Sequence, residues 1–251
     1  MIRSGWLLIL LLMPLLATAS GIVTVAVASN FSQAAREIAD AFQQQSGHKV
    51  QFSISSSGKL FAQISHGAPF DVFLSADVER PALLESMGLV ATGSRRTYAT
   101  GRLVLWSLDE RYQGKDCKAE LQAGHFDKLA IANPKVAPYG VAAEQVLAGI
   151  GLDRRALTER IAMGESVAQT LQFVSSRSAS MGFIAAAQLQ LPDIPEGTCH
   201  WPVPESLHDR IEQQVVLLTR SADNPAAQAF MKFLAGEQAR AIILTHGYGL
   251  D

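Results

Sequence analysis

The segment Val50-Gln51-Phe52-Ser53-Ile54-Ser55-Ser56-Ser57-Gly58-Lys59-Leu60 joins an alternating apolar run to a helical pattern that continues to Ile64. A strand that ends in hydroxyl residues and turns through glycine into a helix leaves backbone N–H groups without partners at the helix start. Those donors, together with the positive end of the helix dipole, suit an anion. The segment therefore predicts a strand–turn–helix unit whose turn is able to bind an anion.

The chain just before this segment follows the same plan. Residues 22–28 are a continuous β-branched and apolar run, which is typical of a buried parallel strand, and residues 31–42 have the apolar spacing of a helix. Ser29 or Asn30 is the expected N-cap of that helix. Strands that alternate with helices predict parallel sheets, in which ligands bind beyond the carboxyl ends of the strands.

The remaining pattern predicts a second α/β unit and a return to the first. Strands are expected at 69–77, 129–132, 160–163, 181–185 and 211–218, with one long extended stretch from Thr97 to Trp106. Helices are expected at 81–87, 140–147, 167–174 and 224–245. Strands that cross between the lobes near Tyr98 and Gln214 would form a hinge. The predicted boundaries are 20–99 plus 215–251 for the first lobe and 100–214 for the second.

The first nineteen residues match a secretory signal peptide. Arg3 precedes an apolar run from Trp6 to Leu16, and Ala17-Thr18-Ala19 fits a cleavage site, so we expect cleavage after Ala19. The alternative is an uncleaved anchor, but the apolar run is shorter than the ~20 residues that a membrane-spanning helix needs. We therefore expect an exported, periplasmic protein that is not embedded in the membrane.

Composition limits the possible partners. The chain has 21 basic and 23 acidic residues and a formal net charge of −2, which gives no excess of positive charge to attract nucleic acid. Its two cysteines, Cys117 and Cys199, form an even count, which in an exported protein predicts a disulfide. Two separate buried thiols are the alternative.

Helix starts after Ser29-Asn30, at Ser57-Gly58, at Tyr139-Gly140 and at Ser166-Val167 are the candidate anion site. Each helix end carries about half a positive charge, so four that converge would match a dianion without Arg or Lys. Any one of them is explained equally well by helix capping for stability. The spacing of these residues does not show whether the four helix starts converge.

An enzyme is the main alternative class. The sequence has no G-x-S-x-G, P-loop, G-x-G-x-x-G or C-x-x-C motif, and its six histidines lack metal-ligand spacing. A serine hydrolase that uses Ser57 as its nucleophile would need a nearby base, and no histidine follows it in a known arrangement. We expect no enzymatic activity, no cofactor and no bare metal ion.

The sequence contains five short motifs: Ala28-Ser29-Asn30-Phe31, Ser56-Ser57-Gly58 with Ala62-Gln63-Ile64, Gly67-Ala68-Pro69, Phe73-Leu74-Ser75-Ala76-Asp77 and Ala137-Pro138-Tyr139-Gly140. Together these motifs resemble the periplasmic molybdate-binding proteins of ABC importers. The resemblance implies a two-lobed periplasmic binding protein fold with two crossover strands, and a cleft that closes on molybdate or tungstate. It also implies delivery to an ABC permease, and we expect a monomer. A carrier of another oxyanion, such as sulfate or phosphate, is the alternative on the same fold.

The resemblance also implies a set of ligand-binding residues. Ser29 and Ser57 match serines that offer hydroxyl and backbone N–H donors, and Asn30 matches an Asn used in one branch of the family. Tyr139 and Val167 fall where backbone N–H groups are supplied from the second lobe. Ser55 and Ser56 are expected to support Ser57 rather than to bind the ligand.

A few positions depart from the family pattern or suggest another role. Some family members add a Tyr hydroxyl where this chain has Ala185, which favours the branch that uses Asn. Lys59 is expected to be solvated. Asp71 and Asp77 would repel a dianion at close range, so we interpret them as structural or hinge residues.

Overall fold

The computed structural model describes residues 20–250, and the predicted leader at 1–19 lies outside them. The strands are β1 (Ile22–Ala28), β2 (Lys49–Ser55), β3 (Val72–Leu74), β4 (Arg96–Gly101), β5 (Leu103–Ser107), β6 (Leu129–Ala132), β7 (Ile161–Gly164), β8 (Met181–Ala185), β9 (Cys199–Pro202) and β10 (Ile211–Leu217). The helices are α1 (Ser32–Ser46), α2 (Ser57–Ser65), α3 (Glu79–Ser86), α4 (Cys117–Gln122), α5 (Pro138–Gly149), α6 (Val167–Ser175), α7 (Pro225–Leu234) and α8 (Glu237–Thr245). Among these described helices, none is both long enough and apolar enough to cross a membrane.

The strands of the described part form two five-stranded sheets, one in each lobe. The first lobe has the order β2-β1-β3-β10-β4, and the second has the order β7-β6-β8-β5-β9. β1 is parallel to β2 and β3, and β6 is parallel to β7 and β8. β10 runs antiparallel to β3 and β4, as β5 does to β8 and β9. The predicted two-lobed α/β fold with mostly parallel sheets is confirmed.

The chain passes twice between the lobes. β4 ends at Gly101 in the first sheet and β5 begins at Leu103 in the second, so the extended stretch predicted from Thr97 to Trp106 is two strands broken at Arg102. Residues 203–210 form the second passage, between β9 and β10. The two crossing segments of the predicted fold are present, and the boundaries at 99/100 and 214/215 stay predictions.

The first lobe is built around β1, which has a neighbouring strand on each side. Val25 and Val27 are fully buried and pack in one cluster with Phe31 and Ile38. Burying each such side chain contributes about 1.5–3 kcal/mol. The C-terminal segment, predicted to be helical over 224–245, is two helices separated by Ala235 and Gly236, because glycine is a poor helix former and each helix packs its own apolar face.

A disulfide joins Cys117, at the start of α4, to Cys199, at the start of β9. Their Cα atoms are 5.6 Å apart and the sequence separation is 82 residues. The bond ties α4 to the edge strand of the second sheet. On the chain-entropy model, closing a loop of this length stabilises the folded lobe by about 4 kcal/mol.

The double variant Cys117→Ala/Cys199→Ala is expected to lower the free energy of unfolding of the second lobe by about 2–4 kcal/mol, because the unfolded chain regains its loop entropy. Urea unfolding followed by tryptophan fluorescence measures this loss, since Trp106 and Trp201 both lie in the second sheet. A reducing agent should destabilise the wild type and leave the variant unchanged. An unchanged urea midpoint in the variant would contradict the prediction.

Candidate functional site

A small cavity lies between the lobes, at the carboxyl ends of parallel strands. In the first lobe Ala28 pairs with Ser55 where β1 and β2 end, and in the second Ala132 pairs with Gly164 where β6 and β7 end. The cavity is narrow, because the space open to the centre of a water-sized molecule is only about 10 Å³. Its lining comes from both lobes: Ala28, Ser29, Asn30, Ser56, Ser57, Ala76, Ala137, Pro138, Tyr139 and Val167.

The five residues predicted to bind the ligand, Ser29, Asn30, Ser57, Tyr139 and Val167, all line this cavity. Each stands at or next to the start of a helical segment, which is α2, α5, α6 or the short 3₁₀ helix at residues 29–31. The first N–H groups of a helix have no acceptor within the helix. The structure thus brings these helix starts together, while the role of each residue in binding stays a prediction.

The cavity lining combines apolar surface with a few polar groups. Among the described residues that line it, none has a charged side chain. Its polar groups are serine hydroxyls, the Asn30 residue and backbone amides. Favourable potential for an anion therefore comes from the helix starts, each equivalent to about half a positive charge in the idealised dipole picture.

Ser56 and Ser57 differ in what their hydroxyl groups do. Ser57 Oγ accepts a hydrogen bond of 2.9 Å from the Ala76 N–H, so its own hydrogen is available to a ligand. Ser56 Oγ is buried and has no hydrogen-bond partner among the described residues, although Ser56 is the N-cap residue of α2. A buried unpaired hydroxyl costs about 1–3 kcal/mol. Ser56, expected only to support its neighbour, is therefore a candidate donor to the solute.

Asn30 uses its side chain inside the first lobe. Its Nδ2 donates to Gln213 Oε1 at 2.9 Å and to the Tyr248 hydroxyl at 3.2 Å, which occupies both amide hydrogens. Asn30 can therefore offer a solute its backbone N–H, rather than its side-chain amide. The expectation that Ser29 or Asn30 caps α1 is wrong, because the N-cap residue is Phe31 and no side chain caps that helix.

Val167 is held in place by its neighbours. Ser166 caps α6 by accepting from the Gln169 N–H at 3.3 Å, as the sequence predicts. Gln188, which sequence reasoning missed, donates through Nε2 to the Val167 carbonyl at 3.2 Å. Gln188 Oε1 also accepts from the Ala185 N–H at 2.9 Å, so this amide joins the start of α6 to the end of β8. Its position in a 3₁₀ turn after β8 gave no local signal.

The two lobes are in contact around the cavity. The Gly58 N–H donates to the Val136 carbonyl at 2.8 Å, and Arg80 Nη2 donates to the Lys135 carbonyl at 3.2 Å. Lys59, which is about half exposed, forms an ion pair of 3.1 Å with Glu165 of the other lobe. These contacts indicate that the structure is in a closed form.

The two aspartates near the cleft have structural partners. Asp71 accepts from the Thr24 N–H at 2.6 Å and from the Ser221 hydroxyl at 2.5 Å. Asp77 forms an ion pair of 2.5 Å with Arg80. Neither lines the cavity, which agrees with their interpretation as structural residues.

Two α/β lobes closed over a small polar cavity have the architecture of a solute-binding protein. The structure matches the Azotobacter vinelandii periplasmic molybdate-binding protein with a TM-score of 0.85 at 38% identity, covering 91% of this chain and 99% of that one. It also matches the sulfate-binding protein SubI of Mycobacterium tuberculosis with a TM-score of 0.73 at 17% identity, covering 91% and 86%. The second likeness shows a shared fold alone.

The sequence comparisons agree with this class. A family model described as bacterial extracellular solute-binding protein matches residues 23–249. The molybdate-binding protein ModA of A. vinelandii is 45% identical over 229 residues, covering 91% of this chain and 90% of the relative. ModA of Rhodobacter capsulatus is 39% identical over 248 residues, covering 98% and 96%. The chain belongs to the bacterial extracellular solute-binding proteins and, within them, to the ModA family. Because these relatives are binding proteins, it is a binding protein and not an enzyme.

Proposed function

We propose that the protein is a periplasmic receptor that captures molybdate between its lobes and delivers it to the permease of an ABC importer. The observation that carries the proposal is the cavity between the lobes, where serine hydroxyls of the first lobe and helix starts of both lobes meet and none of the described lining residues is charged. The names of its relatives from A. vinelandii and R. capsulatus support molybdate in particular. Tungstate, an oxyanion of the same shape and charge, is proposed as a second ligand.

Such a cavity can hold a dianion without a countercharge. Hydrogen bonds to charged groups contribute about 1.5–3 kcal/mol each, and they are stronger in a dry site than in water. The donors proposed are the hydroxyls of Ser29, Ser56 and Ser57 and the helix-start N–H groups of Asn30, Tyr139 and Val167. Several such bonds made together offset the hydration that the anion loses on entry.

Two properties of the cavity favour molybdate over the alternative oxyanions. Near neutral pH phosphate keeps a proton, which needs a hydrogen-bond acceptor, and the described residues that line the cavity include no carboxylate or imidazole group. Sulfate has no such proton but is smaller, so it cannot contact all of the fixed donors at once. Selection by size also explains why we expect tungstate and molybdate to compete nearly equally.

Localisation and partners are proposed on separate grounds. The signal-peptide pattern at residues 1–19 supports export to the periplasm with cleavage near Ala19. The disulfide between Cys117 and Cys199 is consistent with an oxidising compartment. Delivery to an ABC permease rests on the resemblance to importer receptors, and we propose that the receptor acts as a monomer.

Closure of the lobes depends on close approach at Gly58. A Cβ atom at residue 58 would lie 2.8 Å from Val136 Cα and 3.0 Å from the Val136 carbonyl oxygen. All three of the nearest atoms belong to Val136 of the opposite lobe. A side chain here would therefore disturb the closed form and leave the isolated first lobe unstrained.

Calorimetric titration of the mature protein with molybdate, tungstate, sulfate and phosphate tests the proposed function. We expect tight, similar binding of molybdate and tungstate, weaker binding of sulfate and the weakest binding of phosphate. The serine hydrolase alternative predicts no binding preference among these anions. Tight binding of sulfate or phosphate without a response to molybdate would overturn the proposal.

Removing one hydroxyl at a time tests the donors. Ser56→Ala is expected to weaken molybdate binding by about 10- to 100-fold, with no loss of unliganded thermal stability, because Ser56 Oγ has no protein partner to lose. Ser57→Ala should weaken binding and also lower stability by about 1 kcal/mol, since the Ala76 N–H loses its acceptor.

Ser180→Ala is the matched control for these two variants. Ser180 is a buried serine whose hydroxyl accepts from the Asp127 N–H, and it does not line the cavity. This variant should lower thermal stability and leave molybdate affinity unchanged. If Ser56→Ala behaved in the same way, Ser56 would have no role as a donor.

Gly58→Ala is expected to weaken molybdate binding by at least tenfold, because the new methyl group meets Val136 in the closed form. Small-angle X-ray scattering with saturating molybdate should show less compaction than in the wild type. The unliganded variant should unfold at the same temperature or higher, since alanine is the better helix former. Wild-type compaction and affinity would show that closure tolerates a side chain at this position.

A further inference from the structure

A buried hydrogen-bond network lies directly behind the cavity. Gln213 Oε1 accepts from Asn30 Nδ2 at 2.9 Å and from the Tyr98 hydroxyl at 3.0 Å. Gln213 Nε2 donates to the Tyr139 hydroxyl at 3.4 Å. The Tyr248 hydroxyl donates to the Asn30 carbonyl at 2.7 Å. One glutamine side chain thus contacts two residues that line the cavity, Asn30 and Tyr139, and the two belong to different lobes.

Tyr139 reaches across the interface between the lobes. It lies in the first turn of α5, which follows β6 of the second lobe, and its side chain is buried. Its hydroxyl lies against Gly101, the last residue of β4 in the first lobe, where a Cβ atom would overlap it. The missing side chain at residue 101 therefore makes room for the Tyr139 ring between the lobes.

Within the first lobe, Gln213 is held by Asn30 and Tyr98. Its side chain is fully buried, and it stands at a register shift in the pairing of β10 with β4. Three of the bonds in the network, those of Asn30 with Gln213, Tyr98 with Gln213 and Tyr248 with Asn30, lie within the first lobe. The bond between Gln213 and Tyr139 joins the two lobes, so we expect it to form only when they come together.

The phenols in this network keep their hydrogens. Burial raises the pKa of Tyr98 and of Tyr139 well above the usual value of 10, and it also raises the pKa of Tyr248. Each group therefore remains a neutral donor or acceptor throughout the physiological range, and the network does not change with pH there.

We propose that Gln213 is a positioning residue that couples closure of the second lobe to the binding geometry of Asn30. The inference rests on the proposed function, because Asn30 matters only if an anion occupies the cavity. When the lobes close, the Tyr139 hydroxyl packs against Gly101 and accepts from Gln213 Nε2. This bond restrains the Gln213 amide, whose Oε1 holds the Asn30 side chain and so fixes the residue that offers its backbone N–H to the anion. An interaction that exists only in the closed form raises affinity and leaves the open form unaffected.

A double-mutant cycle with Tyr139→Phe and Gln213→Met tests the coupling. Tyr139→Phe keeps the backbone N–H that lines the cavity and removes only the hydroxyl. We expect it to weaken binding about fivefold, as for one ordinary hydrogen bond, and Gln213→Met to weaken binding more because Asn30 loses its acceptor. In the Gln213→Met background, Tyr139→Phe should change affinity by less than twofold. In thermal unfolding without ligand, the two substitutions should show no coupling.

Two matched controls separate coupling from general damage. Tyr112→Phe removes a buried phenol hydroxyl that donates to the His125 carbonyl within the second lobe. Gln214→Leu removes the neighbouring amide on β10, which bonds to Thr97 and Arg95 of the first lobe. Both should lower stability and leave affinity close to that of the wild type.

The titrations use whichever of molybdate, tungstate, sulfate and phosphate the wild type binds most tightly. If the wild type preferred sulfate, the proposed function would be wrong, but the double-mutant cycle could still be measured with sulfate and would still test the role of Gln213. Equal effects of Tyr139→Phe in both backgrounds, or equal coupling in the unliganded protein, would overturn the role of Gln213. If Gln213→Met failed to fold, Tyr139→Phe alone would decide, since unchanged affinity would overturn the inference. Absence of binding to all four anions would overturn both proposals.

Discussion

The structure depends on one constraint, which follows from the proposed function: the candidate site has to attract an anion with neutral hydrogen-bond donors. A Lys or Arg in the cavity would supply charge at any position, whereas backbone N–H groups have to be aimed. Orienting these N–H groups towards one point requires helices that begin at fixed positions. Parallel strands that end at the same edge of a sheet provide such positions, because the helices follow the strand ends. In the first lobe Ala28 pairs with Ser55, and in the second Ala132 pairs with Gly164, so the paired strands of each lobe end at the same level. This register fixes where along the strand direction the donors of each lobe lie.

The same constraint explains why two glycines of the first lobe lie where the lobes meet. Gly58 is in contact with Val136 near the cavity, and Gly101 is in contact with the Tyr139 hydroxyl beside the passage between β4 and β5. In both cases the first lobe has a glycine, and a residue of the second lobe occupies the space that a side chain would take. Val136 lies just before α5, and Tyr139 lies in its first turn. Neutral donors are strong only when water is excluded, so a site of this kind needs lobes that approach this closely.

Local patterns predicted much of this fold, and the misses have a common physical cause. The strands at 129–132 and 181–185 were predicted to the residue, because continuous apolar runs between turns identify buried strands. The break at Arg102 was missed because β4 and β5 belong to different sheets, which the extended pattern of the sequence does not reveal. Ser56 and Ser57 are chemically identical in the sequence, and the turn into α2 decides which hydroxyl is left without a partner. Asn30 owes the orientation of its amide to Gln213 and Tyr248, which lie 183 and 218 residues further along the chain.

Long-range charge cannot recruit the proposed ligand, because the chain has a formal net charge of −2 and a dianion would be repelled weakly at a distance. Lys59, at the edge of the cleft, is paired with Glu165 and offers little unbalanced positive charge. Under the proposed function, affinity therefore has to come from short-range contacts. They are completed in the last step of binding, when the second lobe brings its donors to an anion that already contacts the first lobe. The fold shared with a sulfate-binding protein carries no choice between anions. That choice belongs to the few side chains at the strand ends and to the contacts that fix how far the lobes close.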